Sequence, residues 1–275
     1  MHDGPPLSGC ATRTMWRYEA GHGTDATDRL AEEVPVAIHL DGDSFAVMMA
    51  SPLDIEDFAR GFALTEGLLC SADDIAALTV EHLLEGIKVN IESRAGARLA
   101  RDQPARTLPS RTACGICGTR DLEDVIRQPP EVGTGPVLPP TTIQQALQSI
   151  GPHQHLNTVT GAVHAAAWFD TGGNITLIRE DVGRHNALDK LIGAMLVANV
   201  DPQAGFALIT SRASYEMVTK AATAGITTLV AISAPTALAV QLAKRCGVTL
   251  AGFARPGRFN VYSNPKRIQP AHTPL

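Results

Sequence analysis

Between Val163 and Tyr262 the sequence alternates short apolar runs with segments of helical period, and this pattern restricts the fold more than any other feature. Val163–Phe169 and Asn174–Arg179 flank Thr171-Gly172-Gly173 and read as strands. A helix is predicted from Arg184 to Ala198, with Leu188, Leu191, Ile192, Met195 and Leu196 on one face. A strand (Phe206–Thr210), a helix (Tyr215–Ala224) and a strand (Ile226–Ile232) follow. A last helix, Pro235–Cys246, is expected behind a Ser233 N-cap and stops at Gly247. Val248–Phe253 and Phe259–Tyr262 close the series as strands. With Thr142–Ile150 as a further helix, this order predicts a largely parallel or mixed sheet with helices on both faces. The fold class is α/β, and the C-terminal unit, 141–275, is an α/β/α sandwich.

The first half is less regular. Val34–Leu40 and Ser44–Ala50 are joined by Asp41-Gly42-Asp43, a hairpin signal. A helix starting near Pro52 and Asp54 would place Ile55, Phe58, Ala59, Phe62 and Ala63 on one face and end at Gly67. Ile75–Val80 and Ile87–Ile91 read as short strands. These elements predict a small α+β domain over residues 1–127. Residues 1–15 are expected to form a loose tail without a signal-peptide pattern. Residues 128–140, rich in Pro and Gly, read as a linker.

Composition excludes several classes. Hydrophobic residues make up 44% of the 275, enough for real cores, and charged residues only 19%. The net charge of −5 does not nominate nucleic acid as a partner. Ala221–Ala243 carries no charge and is long enough to span a bilayer, but Thr223, Gly225, Thr227, Thr228, Ser233 and Pro235 divide it into a strand and a helix of a buried core. No membrane span is expected. Five cysteines, an odd and sparse set, point to a reducing compartment, the cytoplasm.

Two places could carry chemistry. Cys114-Gly115-Ile116-Cys117-Gly118 puts two thiols on a tight turn, and residues 94–120 hold six arginines against the single acid Asp102. A positive field favours the thiolate, which is the nucleophile. Such a thiolate can take the outer sulfur of another protein's persulfide, as in thiol–disulfide exchange. A thioredoxin-like redox pair remains an alternative, as do an incidental pair and a zinc site, although zinc needs four ligands and no second Cys pair is present. The second place is built from strand-to-helix corners: Glu180–Asn186, Ser211–Ser214 and Ser233–Thr236. In an α/β sheet such corners gather at the carboxyl edge, and helix N-termini with Ser and Arg suit phosphates. Asp181, His185, Ser211, Arg212 and Ser233 are candidates there. Phe253-Ala254-Arg255-Pro256-Gly257-Arg258 adds two arginines on a tight turn that could clamp a pyrophosphate. Each single residue could equally be a helix cap or packing group. Jointly they favour a nucleotide-like ligand, though no Walker or G-x-G-x-x-G loop is present.

The segments Cys114–Gly118, Glu180–Lys190, Ser211–Met217, Ile232–Ala237 and Gly252–Arg258, in this order, resemble the signatures of the FdhD family of sulfur carrier proteins, over about residues 30–268. The resemblance implies a cysteine desulfurase as sulfur donor, formate dehydrogenase as client, and molybdenum bis-molybdopterin guanine dinucleotide as the acceptor. It implies that Cys114 holds the persulfide, with Cys117 assisting, and that Phe253–Arg258 binds the cofactor. It also implies a homodimer, a C-terminal half like the cytidine-deaminase fold, and no permanent metal. Zinc deaminase chemistry is not expected, because none of the nine histidines is followed two residues later by Glu, and Ala113 rather than proline precedes Cys114. Two other functions stay open: a non-catalytic cofactor chaperone and a dithiol oxidoreductase.

Overall fold

A computed structural model describes residues 9–95 and 129–269. Among these residues there are twelve strands in three sheets and six α-helices. The first sheet is a ribbon of β1 (Cys10–Glu19) and β2 (His22–Ala31). The expected loose tail is therefore corrected over residues 10–15, which belong to β1. Neither strand alternates apolar and polar residues cleanly, so the ribbon leaves no pattern of period two to read.

The second sheet has the order β4-β3-β6-β5, from β3 (Val34–Leu40), β4 (Asp43–Ala50), β5 (Ile75–Leu83) and β6 (Gly86–Ser93). Helix α1 (Ile55–Thr65) covers one face. Its apolar positions Phe58, Ala59 and Phe62 pack on Val36, Ile38, Val89 and Ile91. Glu56 and Asp57 lie in its first turn, where acids suit the helix dipole, and the turn ends beyond Gly67 at φ 73°.

The third sheet has the order β12-β11-β10-β9-β7-β8, from β7 (His164–Asp170), β8 (Ile175–Asp181), β9 (Gly205–Ile209), β10 (Thr228–Ala231), β11 (Thr249–Arg255) and β12 (Arg258–Ser263). The strands β9, β10 and β11 are parallel, while β7, β8 and β12 join by antiparallel pairs. Helices α4 (Arg184–Val197), α5 (Tyr215–Thr223) and α6 (Ala237–Arg245) bury Leu188, Leu191, Met217, Val218 and Leu242 against one face. On the other, α2 (Pro140–Ser149) buries Ile143 and Leu147 beside the stacked pair Phe169 and Phe206. The mixed sheet with helices on both faces agrees with the sequence pattern. A short helix, α3 (His155–Thr160), was not expected. The cap of α6 is also corrected: the Thr236 hydroxyl accepts from the Ala239 amide, while Ser233 lies upstream, because Pro235 is held in a bridge to Ala213.

Helices α1 and α4 join the second and third sheets through two glycines. A Cβ on Gly61 would lie 1.8 Å from the Asp189 carbonyl oxygen, and one on Gly193 would lie 1.9 Å from that of Asp57. Two buried polar knots flank this crossing. Lys220 Nζ donates to Asp189 (2.9 Å), Glu66 (3.0 Å) and Thr65 (2.9 Å), and Arg179 grips Asp57 at 2.7 Å. Segment 129–139 runs along the amino edge of the third sheet. There Val132 donates to the Cys246 carbonyl, and Arg267 donates to the carbonyls of Gly133 and Thr134.

Candidate functional site

Strand direction decides what can meet. Since β8, β9, β10 and β11 run the same way, their carboxyl ends share one edge with the starts of β7 and β12. All three predicted corners and the arginine turn lie on that edge. The order places four inter-strand steps between β8 and β11, roughly 19 Å at the usual spacing.

The corner after β8 is largely satisfied from within. Asp181 is fully buried: Oδ2 accepts from the Ser51 amide at 2.9 Å and from Lys190 at 2.7 Å, and Oδ1 from Gly183 (2.7 Å) and Asn186 (3.0 Å). Lys190 also donates to the Ser51 carbonyl, and Asn186 to that of Met49. This corner therefore clasps the end of β4. Glu180 accepts from the amides of Leu156 and Asn157, capping α3 from a distant strand. His185 is buried, with Nε2 2.7 Å from Glu216 Oε2.

Other groups at the edge are not satisfied. Arg184 Nε and Ser214 Oγ are buried atoms without a hydrogen-bond partner among the described residues. Buried polar atoms are normally paired, so these two are prepared for something that is not part of the described chain. His164 opens β7 opposite Asp181. Burial, and then the Arg184 charge, lower its pKa. Sequence reasoning passed over His164, Ser214 and Glu216 as ligand groups. The one available signal was a histidine at the head of the otherwise apolar run Ala165–Phe169.

At the second corner Ser211 is buried and donates to the Arg212 carbonyl at 3.1 Å, while the Arg212 side chain is exposed. At the third, the Ser233 carbonyl accepts from the Phe253 amide at 3.0 Å, which ties that corner to the arginine turn. Phe253 has φ 50°, a strained left-handed backbone for an aromatic residue, and its ring is exposed. Ala254 is buried beneath it. Arg255 donates to the carbonyls of Ala254 and Ile232, and Gly257 turns at φ 88° with its amide on Gln144. Arg255, Pro256, Gly257 and Arg258 all face solvent. Cys114 and Cys117 lie outside the described residues. Of the other cysteines, Cys246 is buried, and burial pushes its thiol pKa up, which makes it a poor nucleophile.

Among the described residues no group of three or more His, Cys, Asp or Glu is placed to hold a metal ion, and no helix is long and apolar enough to cross a membrane.

The family model for FdhD/NarQ matches residues 31–269. The chain belongs to the FdhD/NarQ family. Sulfur carrier protein FdhD of Xanthomonas euvesicatoria pv. vesicatoria (strain 85-10) is 49% identical over 260 residues, 94% of this chain and 92% of that protein. The FdhD of Bordetella petrii is 43% identical over 270 residues, 98% and 97% of the two chains. A solved structure described as a formate dehydrogenase accessory protein, from Desulfotalea psychrophila, superposes with a TM-score of 0.78 at 26% identity, covering 95% of this chain and all of that one. The β1–β2 ribbon lies outside the FdhD/NarQ match except for Ala31.

Proposed function

We propose that this protein is a cytoplasmic sulfur carrier for formate dehydrogenase. Cys114 accepts sulfur as a persulfide from a cysteine desulfurase and passes it to molybdenum bis-molybdopterin guanine dinucleotide. The observation that carries this is 49% identity over nearly the whole chain to a sulfur carrier protein FdhD. In loading, the Cys114 thiolate attacks the outer sulfur of the donor persulfide. A new S–S bond forms, the donor's S–S bond breaks, and the donor leaves as a thiolate. In release, the Cys117 thiolate attacks Cys114 Sγ. A Cys114–Cys117 disulfide forms and hydrosulfide departs to the acceptor; a cellular thiol then reduces the disulfide.

The acceptor is a substrate, and the carboxyl edge suits it. Exposed Arg212, Arg255 and Arg258 supply charge for phosphates, and the unpartnered Arg184 Nε and Ser214 Oγ supply donors. The exposed Phe253 ring supplies a flat apolar surface for a base. An edge about 19 Å long suits a ligand with two nucleotide arms better than a single nucleotide. Ser211, Ser233, Pro256 and Gly257 bring backbone close to such arms. Asp181, His185 and Ala254 act from beneath, as supports. The layered C-terminal sheet is consistent with the resemblance to the cytidine-deaminase fold. The family resemblance also supports a homodimer.

The test is peptide mass spectrometry after incubation with a cysteine desulfurase and cysteine, without reductant. One added sulfur on the Cys114 peptide, removed by reductant and missing in Cys114→Ala, is expected. A chain that gains no sulfur but binds guanosine diphosphate, and loses that binding in Arg255→Ala and Arg258→Ala, would instead be a cofactor chaperone. Loss of two hydrogens with no sulfur gained would point to a dithiol oxidoreductase.

A further inference from the structure

We propose that the β1–β2 ribbon is a self-association arm, in which the outer edge of β2 pairs antiparallel with the same edge of a second copy, centred on Thr27. The inference rests on the homodimer reading above and supplies its interface. The ribbon's own ladder shows which backbone groups are open. The Glu32 amide donates to the Gly9 carbonyl at 2.8 Å, and the register continues from Cys10 opposite Ala31 to Glu19 opposite His22. Hydrogen-bonded pairs alternate along an antiparallel ladder. Arg13–Asp28, Met15–Ala26 and Arg17–Thr24 are therefore bonded pairs, and Gly23, Asp25, Thr27, Arg29 and Ala31 turn their N–H and C=O groups outward. Neither of the other two sheets pairs with this edge among the described residues.

A two-stranded ribbon is marginal by itself in water, and an open edge is a template for another strand. This one also leaves Trp16 and Tyr18 exposed at 64% and 66%, with their rings 6.1 Å apart. Charge selects the edge and the register. With the two-fold axis at Thr27, Asp25 lies opposite the partner's Arg29, and symmetry repeats the pair. Centring on Asp25 or on Arg29 would instead set like charges opposite each other. Pairing through the β1 edge would crowd Arg13 and Arg17 of both copies on one face. In the β2 pairing Asp28 faces the partner's Ala26 and already has Arg13 opposite it in its own ribbon. The result is a closed, isologous four-stranded sheet with both pairs of aromatic rings on the face that holds the Asp25–Arg29 contacts.

The test is sedimentation equilibrium of the full chain carrying Asp25→Arg, Arg29→Asp, or both. Both side chains are exposed, so folding should be unchanged by circular dichroism. Each single variant turns two attractive pairs into repulsive ones and should raise the dimer dissociation constant roughly tenfold or more, and the double variant should restore it. A wild-type chain that sediments as a monomer at tens of micromolar would overturn the homodimer reading together with the arm. A dimer indifferent to both single variants would leave the homodimer standing and overturn the edge pairing. Weakened singles without rescue by the double would overturn the Asp25–Arg29 register.

Discussion

Replacing Gly61 by Ala tests whether the α1–α4 crossing holds the second and third sheets together. Two effects oppose each other. Alanine is the better helix former by about 0.8–1 kcal/mol, so an open helical site would be stabilised. At Gly61 the new methyl would lie 1.8 Å from the Asp189 carbonyl oxygen and 2.9 Å from the Gly193 amide nitrogen. Ordinary contact needs about 3.4 Å, so the helices must separate by well over 1 Å. The obstruction is backbone, which cannot rotate away as a side chain could. Overpacking of this kind typically costs about 1–3 kcal/mol, and the depth of this overlap puts it at the top of that range or above. The clash should win, with a net loss of about 2 kcal/mol or more. Urea denaturation followed by circular dichroism measures it, compared with Gly151→Ala. Nothing lies within 4 Å of a Cβ at Gly151, so that variant should be neutral or stabilised by a few tenths of a kcal/mol. Gly193→Ala should behave like Gly61→Ala. The double variant should lose less than the sum, because one separation of the helices relieves both overlaps. If Gly61→Ala unfolds at the same urea concentration as the wild type, or a higher one, the close crossing is refuted.

Lys190→Met should cost about 3–5 kcal/mol in the same assay, because it strips the fully buried Asp181 carboxylate of its cation at 2.7 Å, and Asp181→Asn with Lys190→Met should recover part of that loss. His164 has a folded pKa below its usual 6.5, so its contribution to stability is complete above that pH and is lost as pH falls towards the folded value. Thermal melts from pH 8 to pH 5 should fall less steeply in His164→Gln, and an identical slope would exclude the assignment. Phe253→Gly should raise stability by up to about 1 kcal/mol by relieving the left-handed backbone, yet weaken guanosine diphosphate binding measured by calorimetry; unchanged binding would remove Phe253 from the site.

Legibility in the sequence followed the range of the forces involved. Residues 34–65 and 163–262 could be read because their apolar positions repeat at the period of the element they form, as in Phe58, Ala59 and Phe62 or Leu188, Leu191 and Ile192. The β1–β2 ribbon could not. Its turn uses Ala20 at φ 48° before Gly21, where Asn-Gly would have announced a hairpin, and its faces are polar on both sides. Helix α3 was invisible for another reason: the carboxylate that satisfies its first amides, Glu180, arrives from β8. The shift of the α6 cap from Ser233 to Thr236 likewise depends on the bridge between Pro235 and Ala213, a tertiary contact.

The same distinction divides the candidate site. Asp181, Glu180 and Asn186 looked in sequence like ligand groups, because acids and amides at a strand-to-helix corner are chemically able to bind. The structure fills each with partners from the chain, and Asp181 alone receives four bonds. Arg184 and Ser214 sit at neighbouring corners and differ from these in one respect, since they retain buried donor groups with no partner among the described residues. Leaving such groups unpaired costs stability, and the same edge also carries the strained backbone of Phe253. Two independent costs on one edge of a sheet whose interior is otherwise closely satisfied are what a ligand that supplies the missing contacts would offset. Residue type alone could not separate the two groups, because the separation depends on where the partners of each side chain end up.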